Sequence, residues 1–183
     1  MTDHLGKAHA AYSAFAAGFQ SLILGTATPD GLPTASYTPF VRDGDGCFCI
    51  FVSGLSDHTG NLERTGKASV LLIEDESATP MIYARRRLTF TCTASSVSRG
   101  SDDWNALVER FSGRFGSIVQ FFRSAADFRI IRLSPEKGLF VIGFGEAYRV
   151  GGVRMETLEH INDGGHGVTH PPARSDGMVV GQS

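Results

Sequence analysis

The sequence has little of what would assign it to several specialised classes of protein. Only three of its 183 residues are cysteine. This odd number, set in apolar segments, argues against a disulfide framework and is typical of buried thiols in a reducing compartment. No apolar run is long enough to span a bilayer, and the first residues lack the basic segment of a secretory signal. We expect a cytoplasmic protein with no membrane partner.

An excess of charge of one sign is also lacking. The chain has 17 Lys and Arg residues against 19 Asp and Glu residues, a net charge of −2. Such a balance provides no field that would hold a nucleic-acid backbone, so we expect no nucleic-acid partner. A small ligand recognised by local charges fits better. The length allows one domain, or at most two very small ones.

Glycine and phenylalanine are abundant, at 22 and 13 residues, which indicates many tight turns around an aromatic core. Apolar side chains at spacings of three and four predict a helix over residues 4–19, a short helix between residues 55 and 66, and a long helix from Ser101 that Gly113 and Gly116 interrupt. Runs of strand length bounded by turn residues predict the remaining elements. The predicted strands are residues 21–28, 34–41, 47–53, 68–74, 81–96, 128–133 and 138–150.

Six or seven short strands joined mostly by tight turns predict an antiparallel β-barrel of the α+β class with flanking helices. The helices are too few for a doubly wound sheet. After Gly151 the chain becomes polar and rich in Gly, His and Pro, and residues 160–172 are predicted to lack regular structure. We therefore predict a barrel domain over residues 1–150 and a flexible tail over residues 151–183.

Three motifs in order carry a family resemblance: TPDGLPTASYTPF at 28–40, LSDHTGNL at 55–62 and ARRRLT at 84–89. They resemble the signatures of the pyridoxamine 5'-phosphate oxidase-like, FMN-binding split-barrel superfamily, and more narrowly its haem-utilisation branch of the HugZ/HutZ type. The resemblance runs from about residue 12 to residue 150. It implies a homodimer with ligand sites in the clefts between subunits. A barrel this small is filled by its own side chains, so a large cofactor must bind outside it.

The resemblance implies haem as both cofactor and substrate. The protein would serve haem iron utilisation as a haem-degrading oxygenase, opening the porphyrin ring with dioxygen and a reductant to release iron. Two other functions remain open within the same superfamily. One is an FMN-dependent oxidoreductase of the pyridoxamine-phosphate-oxidase-like type, and the other is a non-catalytic haem-binding or storage protein.

The arginine run at 85–87 is the sharpest local signal for a bound anion. A strand over residues 81–96 would place Arg85 and Arg87 on one face with Thr89 and two further threonines. Guanidinium groups and hydroxyls there would suit FMN phosphate or haem propionates. From the residues alone, pairing with the acidic residues 74–76 is the alternative. The resemblance implies that Arg87 lies near the ligand bound to the haem iron.

Histidines in the predicted tail are candidate ligands to haem iron. Imidazole is a common axial ligand, and a glycine-flanked loop can bring one onto a cofactor. The resemblance implies an axial histidine in this loop and points first to His166 and second to His170. The alternative is that the three tail histidines, which include His160, bind no ligand. A zinc site with Asp163 matches no recognised spacing.

Asp127, at the junction of the long helix and the next strand, is the third candidate. The residues alone describe a surface carboxylate in a loop. The resemblance implies instead that Asp127 of the other subunit accepts a hydrogen bond from the axial histidine, which would fix the tautomer of that ring and raise its basicity. His58 and Asn61 lie at a strand-to-helix junction, where we interpret them as structural.

Overall fold

The computed structural model describes residues 2–161, which form an eight-stranded antiparallel sheet and four α-helices. The helices are α1 (Thr2–Ala17), α2 (Asp57–Thr65), α3 (Asp102–Phe115) and α4 (Ile118–Ser124), with single 3-10 turns at Glu76–Ala78 and Ile82–Ala84. The strands are β1 (Ser21–Ala27), β2 (Pro33–Arg42), β3 (Phe48–Ser53), β4 (Lys67–Ile73), β5 (Arg87–Val97), β6 (Phe128–Gly143), β7 (Glu146–Gly151) and β8 (Thr157–His160). Within this part of the chain, no helix combines the length and apolar composition needed to cross a membrane.

Six of the strands close into a barrel. The sheet order is β3-β2-β1-β4-β5-β6-β7-β8, and a further pairing of β3 with β6 joins the ring. Two strands pair with the same edge of β6, one after the other: Phe128 to Leu133 pair with β3, and Gly138 to Gly143 pair with β7. The predicted antiparallel barrel of the α+β class is confirmed, and the change of partner along β6 makes it a split barrel.

Helices cover both ends of the barrel, and side chains fill its interior. At one end, Tyr12 and Phe15 of α1 each lie 5.6 Å from Phe140, between ring centroids. At the other end, Asn61 of α2 is buried and its Nδ2 donates to Thr26 Oγ1 over 3.2 Å. The interior includes Leu24, Phe40, Phe48, Ile50, Val70, Leu72, Leu88, Phe90, Phe140 and Tyr148, all at most 1% exposed. A large cofactor therefore has no room inside.

A second apolar cluster lies outside the barrel, where α3 and α4 cover β2, β3 and the first half of β6. Phe51 of β3 points out of the barrel and packs edge-on against Trp104, at 6.3 Å between ring centroids. Ser101 begins α3 by accepting a hydrogen bond from the Trp104 N–H over 3.1 Å. The helix ends at Gly116, whose φ of 77° is left-handed. The predicted interruption thus falls at Gly116, while Gly113 lies inside α3.

Strand β6 is continuous where the sequence predicted two strands at 128–133 and 138–150. The register shifts between Thr91 and Cys92, so that Cys92 pairs with Pro135 and Thr91 with Lys137. This bulge accommodates Pro135, which lacks an N–H for the ladder, without ending the strand. The chain turns instead after residue 143, and β7 follows as a separate strand.

The sheet also extends past the boundary predicted at residue 150. Strand β8 pairs with β7, Tyr148 opposite His160 and Val150 opposite Leu158. Leu158 and Met155 are buried in the barrel cluster, and the Tyr12 hydroxyl donates to the Met155 carbonyl over 2.8 Å. The start of the predicted tail is therefore part of the sheet. The later part, which includes His166 and His170, lies outside the described residues.

The three cysteines are free thiols with different burial. Cys49 and Cys92 are buried, and burial raises the pKa of each thiol to about 12. Cys47 is half-buried, with its Sγ 3.5 Å from the Ser134 hydroxyl. The expected core location of the cysteines thus holds for two of them.

In the native protein at pH 8, we expect one thiol to react quickly with a disulfide reagent and all three to react after unfolding. The thiolate is the nucleophile, and Cys49 and Cys92 stay protonated and shielded at that pH. The measurement is the time course of labelling with and without urea, and Cys47→Ser should remove the fast phase. A fast phase that persists in Cys47→Ser protein would contradict this burial pattern.

Candidate functional site

Strand β5 begins at Arg87, so the prediction of a strand from residue 81 is wrong for its first six residues. A 3-10 turn forms there instead, with the Ala84 N–H donating to the Met81 carbonyl over 3.0 Å. Arg85 therefore lies before the strand and does not share the threonine face. From Arg87 onward the predicted alternation is confirmed, with one face buried in the core.

Acidic residues bind the first two arginines of the run. Arg85 donates through Nε to the Glu74 carbonyl over 3.1 Å and through Nη1 to the Glu76 carboxylate over 2.9 Å. Arg86 donates through Nε and Nη2 to the Glu74 carboxylate, over 3.0 Å from Nε, and this hydrogen bonding lowers the pKa of Glu74. The alternative expectation, that the arginines pair with acidic residues 74–76, therefore holds for Arg85 and Arg86. Their partners are Glu74 and Glu76 and not Asp75.

Arg87 has a different environment. It opens β5 between Ile73 of β4 and Val141 of β6. Its Nη1 donates to the Arg85 carbonyl over 3.1 Å, and it makes no ion pair within residues 2–161. A guanidinium has five N–H donors, so Arg87 keeps both its charge and most of its donors for a ligand.

A row of side chains crosses the outer surface of the barrel next to Arg87, on the side that α3 and α4 leave uncovered. Strand register places these residues opposite one another on five neighbouring strands. We call Tyr37, Ile23, Leu71, Thr89 and Leu139 the outer-face row. Tyr37 is 67% exposed, Ile23 40% and Leu139 39%. Such a largely apolar strip is a candidate binding surface.

Asp127 lies in the loop before β6, as predicted, and its carboxylate has a fixed orientation. The Ser53 hydroxyl donates to Asp127 Oδ2 over 2.7 Å, and the Gly54 N–H donates to the Asp127 carbonyl over 2.7 Å. The Leu55 N–H donates to Ser53 Oγ over 3.1 Å, which directs the hydroxyl proton at the carboxylate. Asp127 Oδ1 accepts no hydrogen bond from the described residues and remains a free acceptor. Sequence reasoning missed Ser53, which is 74 positions away.

Arg87 and Asp127 of one chain lie at opposite ends of the β5–β6 pair. Arg87 is opposite Val141, whereas Val97 at the far end of β5 is opposite Ile130, close to Asp127. At about 3.3 Å per residue the strands separate the two by roughly 30 Å. A small ligand cannot contact both residues within one chain.

The remaining candidates are dispersed. Asn61 is structural, as interpreted, through its bond to Thr26. His58 is half-buried, burial lowers its pKa, and its Nε2 has no partner among the described residues. His160 lies on β8, with its ring 5.0 Å from that of Tyr148. Within residues 2–161, no cluster of three or more His, Cys, Asp or Glu side chains could hold a metal ion.

The strand order and the helix-covered ends define a split barrel with its candidate ligand surface on the outside. The chain matches the Pyridoxamine 5'-phosphate oxidase family over residues 8–142. It belongs to that family.

Proteins similar to this chain include two from Vibrio cholerae and Campylobacter jejuni. Heme oxygenase HutZ of Vibrio cholerae serotype O1 is 39% identical over 145 residues, 79% of this chain and 82% of that protein. A crystal structure of HutZ, there described as the heme storage protein of Vibrio cholerae, aligns with a TM-score of 0.69 at 36% identity, over 74% of this chain and 96% of HutZ. Campylobacter jejuni ChuZ aligns with a TM-score of 0.77 at 27% identity, over 88% of this chain and 65% of ChuZ.

Glu74→Gln should lower the free energy of unfolding at pH 7 by about 1 kcal/mol or less, as is usual for ion pairs at a surface. The hydrogen bonds from Arg86 lower the pKa of Glu74 in the fold. The contribution of Glu74 to the free energy of unfolding is therefore complete above the pKa of roughly 4.3 that its carboxyl has in the unfolded chain. It is lost as the pH falls through the lower pKa of Glu74 in the folded protein.

Urea unfolding of Glu74→Gln and wild-type protein at pH 7, 5 and 3 measures this effect. The difference between the two proteins should shrink towards pH 3. Glu159→Gln is the control, because Glu159 is exposed and 3.9 Å from its arginine. A difference that is the same at all three pH values would exclude a contribution from the Glu74 charge.

Proposed function

We propose that this protein binds haem between two chains and opens the porphyrin ring with dioxygen and an external reductant, releasing iron. The observation that carries the proposal is the outer-face row bordered by Arg87. An apolar strip suits the flat face of a porphyrin, and a cation with free donors suits its propionates or an iron-bound ligand. The 39% identity to a protein named heme oxygenase HutZ supports the same function.

The proposed site needs a homodimer. The barrel interior is filled by its own side chains, so the ligand must bind outside. A second barrel placed on the uncovered side would bury the outer-face row. Because Arg87 and Asp127 lie roughly 30 Å apart along one chain, a site that uses both would take Arg87 from one subunit and Asp127 from the other.

Four of the candidate positions have a defined part in this proposal. Arg87 and Thr89 would donate hydrogen bonds to haem or to the ligand on its iron. His166, or else His170, would be the axial ligand, and its other ring N–H would donate to the free Oδ1 of Asp127. Bound haem supplies the oxygen chemistry of ring opening. Arg85, which Glu74 and Glu76 already bind, is not retained as a ligand-binding residue.

Hemin added to the purified protein should give a saturable Soret band that is lost in His166→Ala or His170→Ala, since removal of the axial imidazole changes the ligation of the iron. The measurement is a spectrophotometric titration, with His9→Ala of α1 as the control. An unchanged spectrum in the double variant would exclude both tail histidines as ligands.

The same preparation separates the alternatives. A protein that is yellow from bound FMN and does not bind hemin would favour the FMN-dependent oxidoreductase. In that function, Arg87 and the threonines would hold the FMN phosphate. If the protein binds hemin but forms no ring-opened product with ascorbate under air, it is a haem-binding or storage protein. HutZ itself carries both descriptions, oxygenase and storage protein, so turnover is the deciding observation.

Mixing two inactive variants tests whether one site takes residues from both chains. Arg87→Ala and Asp127→Asn should each lower haem turnover by about tenfold or more. When the two are co-expressed, half of the dimers are mixed, and each has one intact site of two. Turnover should then return to about a quarter of the wild-type value.

Co-expression of two differently tagged Asp127→Asn chains is the matched control and should recover nothing. Failure of the mixed pair to recover turnover, with mixed dimers isolated by their tags, would overturn the proposal that one site takes Arg87 and Asp127 from different chains.

A further inference from the structure

A second group of cations lies at the end of the barrel that α1 covers. It consists of Arg42 at the end of β2 and of Arg110 and Arg114, one turn apart on α3. We call these three residues the arginine cluster. With Val41 and Gly113 they line an open surface depression of about 490 Å³, and no carboxylate of residues 2–161 lines it.

The arginine cluster is held in place by aromatic rings and backbone carbonyls. The Arg42 guanidinium lies 4.2 Å from the centroid of Phe48, and Arg114 lies 5.6 Å from that of Phe40. Arg42 donates to the Gly46 carbonyl over 3.2 Å, Arg110 to the Arg42 carbonyl over 3.2 Å, and Arg114 to the carbonyl of residue 19 over 2.6 Å. Side chains fixed in this way lose little freedom when they bind a ligand.

These bonds leave the positive charges uncompensated. No member of the cluster forms an ion pair within residues 2–161. The neighbouring carboxylates are used elsewhere, because Asp43 accepts from Arg132 over 2.7 Å and Glu109 lies 3.7 Å from Arg123. Arg42 Nε and Nη2 are buried and have no hydrogen-bond partner in the described part of the chain. Three like charges that line one depression without an ion-pair partner in this part of the chain favour an anionic ligand.

Arg42 also borders a neighbouring cavity of about 500 Å³ under α1. This cavity has a mixed lining that includes His9, Tyr12, Ser13 and Glu156. Arg42 and Arg154 line that cavity beside the Glu156 carboxylate, whereas the depression has three arginines and no carboxylate among the described residues. The depression is therefore the place for the charged group. The hydroxyls and the imidazole of the second cavity suit an uncharged polar part of the same molecule.

We propose that the arginine cluster binds the dianionic phosphate group of a small organic molecule. Guanidinium forks match phosphate oxygens, and three cations suit a double negative charge better than a single carboxylate. The site is separate from the outer-face row, because Arg110 and Arg114 lie on α3, which covers the other side of the barrel. It does not depend on the haem proposal.

Calorimetric titration of the full chain with inorganic phosphate at pH 7.5, at constant ionic strength set with sodium chloride, tests the proposal. We expect saturable binding of one phosphate per chain and much weaker binding of acetate. Arg110→Gln and Arg114→Gln should each weaken phosphate binding by about tenfold or more. Both side chains are exposed, so both variants should fold.

Arg149→Gln is the matched control, since Arg149 is an exposed arginine on β7 near a single carboxylate. It should bind phosphate as the wild type does. Equal phosphate affinity in the Arg110→Gln/Arg114→Gln double variant, or equal affinity for acetate, would overturn the proposal. So would a wild-type protein that shows no saturable binding at millimolar phosphate.

Discussion

The pairing of β6 with three strands is the constraint on which the rest of the structure depends. One edge of β6 runs along β5, and the other edge pairs first with β3 and then with β7. The β3 pairing closes the barrel, which removes the open edge of β3 and leaves a small interior packed with side chains. The β7 pairing carries the chain onward to β8 and to the tail. Closure thus leaves only the outer surface for a large ligand. Because β6 changes partner from β3 to β7, the barrel has one side that α3 and α4 cover and one that they do not.

Closure also determines which surfaces remain available for function. The side formed by β2, β3 and the first half of β6 is covered by α3 and α4 around Phe51. Among residues 2–161, no helix covers the side that carries the outer-face row. Because β5 and β6 run the length of the barrel, Arg87 and Asp127 are held at opposite ends of it. A site built from both residues would therefore need two chains.

Much of the fold could be predicted from the sequence because periodicity reports which faces are buried. The alternation from Arg87 onward and the helical stripe of α1 are local patterns of this kind. The errors come from tertiary contacts. The 3-10 turn before Arg87 is followed by two arginines that bind Glu74 and Glu76 across the loop. Pro135 remains within β6 because the pairing of β5 with β6 contains a bulge there. Arg42 and Arg110, 68 positions apart, meet only in the folded chain.

The near-neutral composition conceals how the arginines are distributed. Arg85 and Arg86 are bound to carboxylates, and an ion pair of this kind leaves little field for a ligand. Arg87 and the arginine cluster donate instead to backbone carbonyls, which orient a guanidinium without cancelling its charge. Both groups are bordered by apolar or aromatic surface, where a charge interacts more strongly than in open water. The partner of each arginine, rather than the total number of arginines, thus determines where this protein can attract an anion.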